Sequence, residues 1–309
     1  MKLSAFTFVR NARRFGYPMA ESIASVIDIV DEYVIAVGDS SDDTLEQVRT
    51  LQATMPKIKI VETIWDTDKY PRASVYAQQT DLAKMHCTGD WLLYLQTDEV
   101  IHEKYLPEIK SACEKYVADQ RVEGFIFRFE HFWGDFSHVN RSHNFYPYEM
   151  RIVRNLPQIH SWRDAQSFRI FPQGDEFLPD YFVKEGTRKL RAVQLDAEVY
   201  HYGWARHPAT MNSKNNMARR LYNPETGQME TAEYYDYGNM DKFPVMPFRG
   251  THPAVMKDFI ASNQWPQYLR HEGPRCQVKP KHLLLSYIEQ HILGSHARIF
   301  GFNNFQRIK

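Results

Sequence analysis

The sequence predicts an α/β protein built on one mostly parallel, Rossmann-type sheet flanked by helices. Three observations lead there. Apolar runs at 3–9, 33–37, 58–63 and 91–95 alternate with segments of helical periodicity, the order expected of a parallel α/β sheet. The run Trp91 to Leu95 carries no charge, which suits a strand buried on both faces. Polar clusters follow three of these strands, at 10–14, 39–43 and 96–99, at the edge where such sheets gather ligands.

In chain order, Leu3 to Val9 is the first strand, and Arg10-Asn11-Ala12-Arg13-Arg14 follows at its carboxyl end. Pro18 suits the first turn of a helix, and Met19, Ile23, Val26, Ile27 and Val30 give that helix one buried face. Tyr33 to Val37 is the second strand. Leu45, Val48, Leu51 and Met55 mark the second helix. Asp42 or Asp43 could cap it, and Asp43 with Glu46 has capping-box spacing. Ile58 to Thr63 is the third strand, and residues 72–85 form a helix whose connection Gly89 ends. The strand at 91–95 stops on Gln96-Thr97-Asp98-Glu99, after which Leu106, Ile109, Cys113 and Val117 recur at helical spacing.

Gly124 to Phe129 adds a strand, and beyond it the pattern turns irregular and rich in His, Arg and aromatics. Short strands are expected at 149–154, 168–171 and 195–201. From His207 onward, helices at 209–222, 253–263 and 282–293 are broken by Pro and Gly. A boundary is therefore expected near Arg206, between a sheet-bearing domain at 1–206 and a mostly helical C-terminal extension at 207–309 that packs on it. The stripe Leu283, Leu284, Tyr287, Ile288 and Ile292 is expected to dock on the core.

Composition narrows the function classes. The 309 residues have 38 Lys plus Arg against 38 Asp plus Glu, which argues against a general nucleic-acid binder. Cys87, Cys113 and Cys276 are far apart and odd in number, so they suggest no disulfide framework and fit a reducing cytosol. No stretch approaches the roughly 20 apolar residues of a membrane span, and the first residues lack a signal-peptide pattern. A cytoplasmic protein is expected, with peripheral membrane contact left open. Aromatics reach 14%, and those of the second half could line a carbohydrate surface or simply pack.

Four constellations could carry chemistry. The turn Gly38 to Thr44 holds Asp39, Ser40, Ser41, Asp42 and Asp43. Its carboxylates could accept hydrogen bonds from a ribose or base, or serve a helix N-terminus. Asp98 and Glu99 are adjacent carboxylates at a central strand end, costly to bury unless cations or donors offset them. A divalent metal carrying phosphate oxygens is one partner, and a helix cap is the other reading. His201, in Val199-Tyr200-His201-Tyr202-Gly203-Trp204, could complete a metal site or be a satisfied core histidine. His252 is its rival. Asp164, in Ile159-His160-Ser161-Trp162-Arg163-Asp164, could act as general base toward a hydroxyl or pair with Arg163 at the surface. Lys69, Arg72, Arg151 and Arg154 are candidate diphosphate holders.

Together these pieces resemble a family 2 glycosyltransferase of the GT-A fold, over roughly residues 1–206. The segment 31–44, DEYVIAVGDSSDDT, resembles that family's first nucleotide-binding turn. Gly89 to Glu99, GDWLLYLQTDE, resembles the strand that ends in its DxD motif. Arg151 to Asn155, followed by His160 to Asp164, is similar to the segment that delivers the acceptor-side acid, and His201-Tyr202-Gly203 looks like the late histidine. The resemblance implies an inverting, metal-assisted hexosyl transfer from a UDP-, GDP- or dTDP-sugar to a glycan or glycolipid hydroxyl. It implies Asp164 as base, and Val9, Asn11, Asp39, Ser41, Asp42, Arg72, Gln96, Thr97 and Asp98 at the nucleotide-sugar. Asp98, Glu99 and His201 would hold Mn2+ or Mg2+. Trp204, Tyr222, Tyr234, Tyr235, Tyr237 and Trp265 would shape the acceptor site.

Two departures stand out. Val37 stands where the family has an acid, with Asp39 two positions later, and Gln96 replaces the first acid of DxD. They favour one rival reading, a non-catalytic nucleotide- or sugar-binding module. A sugar-phosphate nucleotidyltransferase is the other rival, for which the turn at 10–14 has the charge but no glycines.

Overall fold

The computed structural model describes residues 1–172, 180–223, 229, 231–294, 297–299 and 303–308. The predicted alternation becomes β1 (Leu3–Val9), α1 (Met19–Ala24), β2 (Glu32–Val37), α2 (Thr44–Thr54), β3 (Ile58–Glu62), α3 (Val75–Met85) and β4 (Trp91–Tyr94). Next come β5 (Glu99–Ile101), α4 (Leu106–Tyr116), β6 (Gly124–Trp133), β7 (His138–Asn140), β8 (Tyr148–Arg154), β9 (Ile159–Trp162), β10 (Ser167–Ile170) and β11 (Arg188–Trp204). The remainder holds α5 (Pro208–Tyr222), β12 (Val245–Pro247), α6 (Lys257–Ser262), α7 (Pro280–Ile288) and β13 (Phe305–Ile308).

The sheet runs β3-β2-β1-β4-β8-β6-β11-β10-β9. Its first four strands are parallel. β8 lies antiparallel to both β4 and β6, and β11 runs parallel to β6. The α/β architecture is thus present as a mixed sheet, parallel in its first half. β8 is reversed because the chain between β6 and β8 holds β7 and turns, not the helix that a parallel crossover uses. Tyr33 to Ala36 and Trp91 to Tyr94 have no exposed surface, which is why both strands read as unbroken apolar runs. Gly89 lets β4 start against β1, since a Cβ there would lie 2.7 Å from the Ser4 backbone nitrogen.

Three local expectations are corrected. α1 stops at Ala24, although Val26 and Val30 are buried as predicted. The β-branched Ile23, Val26, Ile27, Ile29 and Val30 favour burial more than helix. At α2, Asp42 does the capping, accepting from the Thr44 backbone nitrogen at 3.1 Å. Asp43 faces Arg13 and Gln47 instead of closing a capping box with Glu46. On α7, Leu284 and Tyr287 are exposed, as is Ile292 beyond it. The buried face of that segment is polar, with Ser286 and Glu289 bonding the His143 backbone and ring.

The region after Arg206 is tied to the sheet: β13 pairs with β11, and β12 pairs with β7. The three cysteines are buried and free. No helix of the described residues is long and apolar enough to cross a membrane.

One ion pair fixes the segment that follows β4. Arg151 of β8 donates to Glu99 twice, Nη2 to Oε1 at 2.6 Å and Nε to Oε2 at 2.7 Å, and neither side chain is exposed. Removing one partner of such a pair leaves a buried charge uncompensated. Arg151→Met is therefore expected to lower the unfolding free energy by about 3–5 kcal/mol in urea titrations, and Arg151→Met with Glu99→Gln by less. A single-variant loss below about 1 kcal/mol, the scale of an exposed pair, would contradict this assignment.

Candidate active site

The carboxyl ends of β1 and β4 open into a cavity of about 350 Å³. Its lining includes Val9 and Arg10 from the end of β1, Gln96, Thr97 and Asp98 after β4, and His201 from β11. Asp164 and Gln166 come from the turn between β9 and β10, and Lys214, Met217 and Tyr222 from α5. Tyr17, Trp65, Tyr76 and Tyr146 supply ring walls. This is the edge at which open α/β sheets bind ligands.

Asp98 is the buried anion of the site. Its Oδ2 accepts from Arg206 Nη2 at 2.9 Å and from Lys214 Nζ at 3.0 Å. Burial pushes its pKa up, but Lys214 foremost and Arg206 with it hold the carboxyl well below the usual range. The Gly203 carbonyl accepts from both cations, Arg206 Nε and Lys214 Nζ, each at 3.0 Å. Tyr17 lies under both, 4.5 Å from the guanidinium and 5.4 Å from the ammonium. Burial and the Arg206 charge pull Lys214 down to about 8, so it is still mainly protonated at neutral pH. The Asp98 backbone carbonyl also accepts from Tyr202 N at 2.8 Å, which locks the post-β4 segment to β11.

Two histidines stand beside this cluster. His131 Nε2 faces the Tyr146 carbonyl at 2.8 Å, so that nitrogen carries the proton. Its Nδ1 then accepts from His201 Nδ1, also at 2.8 Å. His201 Nε2 is left with a lone pair, 3.8 Å from Asp98 Oδ1. Burial pushes His131 down to about 4 and His201 well below its ordinary value. Gly203 makes room for this ring: a Cβ there would lie 2.3 Å from His201 Nε2.

Asp164 sits on a strained turn. Arg163 and Ala165, its two neighbours, have φ of 60° and 61°, a left-handed conformation that non-glycine residues adopt at a cost. The turn brings the carboxylate to the cavity wall, where Asp164 Oδ2 accepts from Tyr222 Oη. Ala165 O accepts from Gln96 Nε2 at 3.5 Å, which ties the turn to the end of β4.

The cavity thus brings together Val9, Gln96, Thr97, Asp98, His201 and Asp164. The other expected residues lie elsewhere. Arg72 stacks on Phe182, 4.3 Å from its ring, and faces Asp180. Asn11 and Ser41 bond each other, Ser41 N to Asn11 Oδ1 at 2.7 Å, which joins the turns after β1 and β2. Asp42 accepts from Arg14 N besides capping α2. Asp39 stands just behind the wall, accepting from Arg10 and from Trp65 N. Glu99 is turned into Arg151, so neither carboxylate oxygen reaches the cavity. Arg154 donates to the carbonyls of Tyr116, Val117, Asp119 and Val122. His252 bonds Tyr202 Oη away from the site.

Two other acids do not face the cavity: Glu130 pairs with Arg141, and Glu149 is buried against Ser167 and Asn304. Among the aromatics, Tyr222 lines the cavity, while Tyr234 and Tyr235 line a second one of about 310 Å³ with Trp133. Trp204 stacks on Trp133, and Tyr237 and Trp265 are buried and bond backbone carbonyls. Lys214 and Arg206 were missed. The one signal for them was a cation three residues after Gly203 and another eight residues further on.

The donor set does not fit a divalent cation as arranged. Asp98 Oδ2 already carries two side-chain cations. With His201 neutral, Asp98, Arg206 and Lys214 sum to one positive charge. Gln96 adds no charge, and Glu99 is spent on Arg151. Among the described residues, no three His, Cys, Asp or Glu side chains converge.

No family model matches the chain. Over 119 residues it is 28% identical to an uncharacterized glycosyltransferase of Rickettsia typhi, which covers 38% of this chain and 35% of that protein. Over 120 residues it is 31% identical to a protein of the same description in Rickettsia felis, covering 38% and 36%. The matches thus span about a third of the length of these curated relatives. Among solved structures, S. aureus TarS in complex with UDP-GlcNAc is similar with a TM-score of 0.39 and 14% identity, over 75% of this chain and 68% of that one. The mannosyltransferase PcManGT from Pyrobaculum calidifontis, with GDP-Man and Mn2+, is similar at 0.31 and 20%, over 43% and 35%.

The histidine pair sets a pH dependence of stability. With the folded pKa of His131 below the unfolded value of about 6.5, the unfolded state binds more protons between those values. Its contribution is therefore full above pH 6.5 and is lost as pH falls toward 4. Urea titrations should show the unfolding free energy falling by up to about 1.4 kcal/mol per pH unit from this group. The slope should be shallower in His131→Gln. Equal slopes in the two proteins would contradict a neutral buried His131.

Proposed function

We propose that this protein transfers a sugar from a nucleoside-diphosphate donor to a hydroxyl acceptor. The observation that carries the reading is one cavity at the strand ends with a cation, Lys214, on one wall and a carboxylate, Asp164, on another. The first suits a diphosphate and the second an alcohol. The flat rings of Trp65 and Tyr76 suit a base or a sugar face. The local identity to two proteins named glycosyltransferases supports the same reading.

In this proposal the donor is a UDP-, GDP- or dTDP-sugar and the acceptor a glycan or glycolipid. The bond from the anomeric carbon to the β-phosphate oxygen breaks, and its electron pair leaves on that oxygen. The acceptor oxygen bonds the opposite face of the anomeric carbon, which inverts it. The acceptor proton passes to Asp164, whose Oδ1 is not the oxygen engaged by Tyr222. Lys214 offsets the charge that grows on the departing diphosphate. Asp39 holds Arg10 and Trp65 in place behind the nucleoside wall.

Incubation with a panel of such sugars should release nucleoside diphosphate from one of them, and faster with the right acceptor. Release from none would remove the transferase reading. Asp164→Asn should keep donor affinity while transfer drops by about 10²-fold, the scale of a general base. Unchanged turnover would place the base elsewhere.

A further inference from the structure

The charge arrangement around Asp98 has a consequence for how the donor is held. A divalent cation needs a net negative group of oxygen and nitrogen donors. Asp98 is instead outnumbered by two buried or half-buried cations within hydrogen-bond distance, at 2.9 and 3.0 Å. Arg206 is almost wholly buried and is held by the carbonyls of Phe15 and Gly203 as well as by Asp98. It fixes the positive balance. Lys214 lines the cavity and donates two of its three protons, to Asp98 and to the Gly203 carbonyl. Among the described residues no hydrogen bond takes the third.

The tethering matters as much as the charge. An ammonium on a four-carbon stem normally loses much rotamer freedom when it binds an anion. Here Asp98 and Gly203 have already fixed it, so less is lost on binding. Arg10 stands on the same cavity wall as Trp65, 5.1 Å from its ring, and is itself steadied by Asp39. A diphosphate entering this cavity meets fixed cations.

Resting on the donor class proposed above, we infer that Lys214, backed by Arg206, binds the donor diphosphate directly and that binding needs no divalent metal. Asp98 then serves as a positioning residue: it aims Lys214 and keeps it charged. Gln96 in place of an acid agrees with this, because a second carboxylate would turn the local balance back toward zero.

The test is calorimetric titration of the full chain with UDP, GDP and dTDP, each in EDTA and in excess Mn2+. The expected result is that at least one binds in EDTA, with an affinity within about threefold of that in Mn2+. Lys214→Met should weaken binding in EDTA by about tenfold or more, the scale of one charge-assisted hydrogen bond. Lys214→Arg should restore most of it, with circular dichroism confirming that both variants fold. Should a nucleoside diphosphate bind only with Mn2+, or bind Lys214→Met as well as the wild type, the inference is overturned and the transferase reading stands. Should none bind under either condition, the donor class itself is wrong and both fall. The wild-type comparison does not depend on either variant folding.

Discussion

A carboxylate buried at the end of a central strand stays ionised only if something beside it carries the opposite charge. Asp98 meets that condition through Arg206 and Lys214, which arrive from residues more than a hundred positions later. The interaction couples the two halves of the chain. It pins the start of α5 over the strand ends, and α5 in turn closes the cavity with Lys214, Met217 and Tyr222. The boundary expected near Arg206 therefore falls at the centre of the site, with the site's cations on either side of it.

The neighbouring acid does a different job with the same chemistry. Glu99 turns inward to Arg151 and ties the segment to β8, while Asp98 faces the cavity. Two adjacent carboxylates are thus divided between holding the sheet and building the site. The division follows from the backbone: Asp98 sits in a turn closed by Glu99 N donating to the Gln96 carbonyl at 2.9 Å, and Glu99 is the first residue of β5. Across the cavity, the turn carrying Asp164 keeps two left-handed non-glycine residues. Backbone strain of that kind persists where the surroundings hold it, and here Gln96 and Tyr222 supply the hold.

Much of this was legible in the sequence, for physical reasons. Strands buried on both faces leave unbroken apolar runs, so β1, β2 and β4 could be read nearly to the residue. Gln96, Thr97, Asp98, His201 and Asp164 could be picked out because polar residues at strand ends and sheet corners are conspicuous against those runs. What could not be read were interactions set by tertiary distance. Beyond its spacing from Arg206, nothing local distinguishes Lys214 from a solvated lysine on a helix. Nor does anything local show that Arg72 stacks on Phe182, or that Asn11 and Ser41 brace two turns against each other. The apolar stripe after His282 failed for a related reason. Periodicity shows that a helix has two faces, but Ser286 and Glu289 found partners on the core while Leu284 and Tyr287 stayed exposed.

The most direct measurement is a crystal structure of the protein with a nucleoside diphosphate–sugar bound. The account predicts the diphosphate in the cavity at the ends of β1 and β4, within hydrogen-bond distance of Lys214 Nζ, and the sugar's anomeric carbon facing Asp164. A diphosphate bound away from Lys214, or Asp98 freed from Arg206 and Lys214 to ligate a metal, would contradict it.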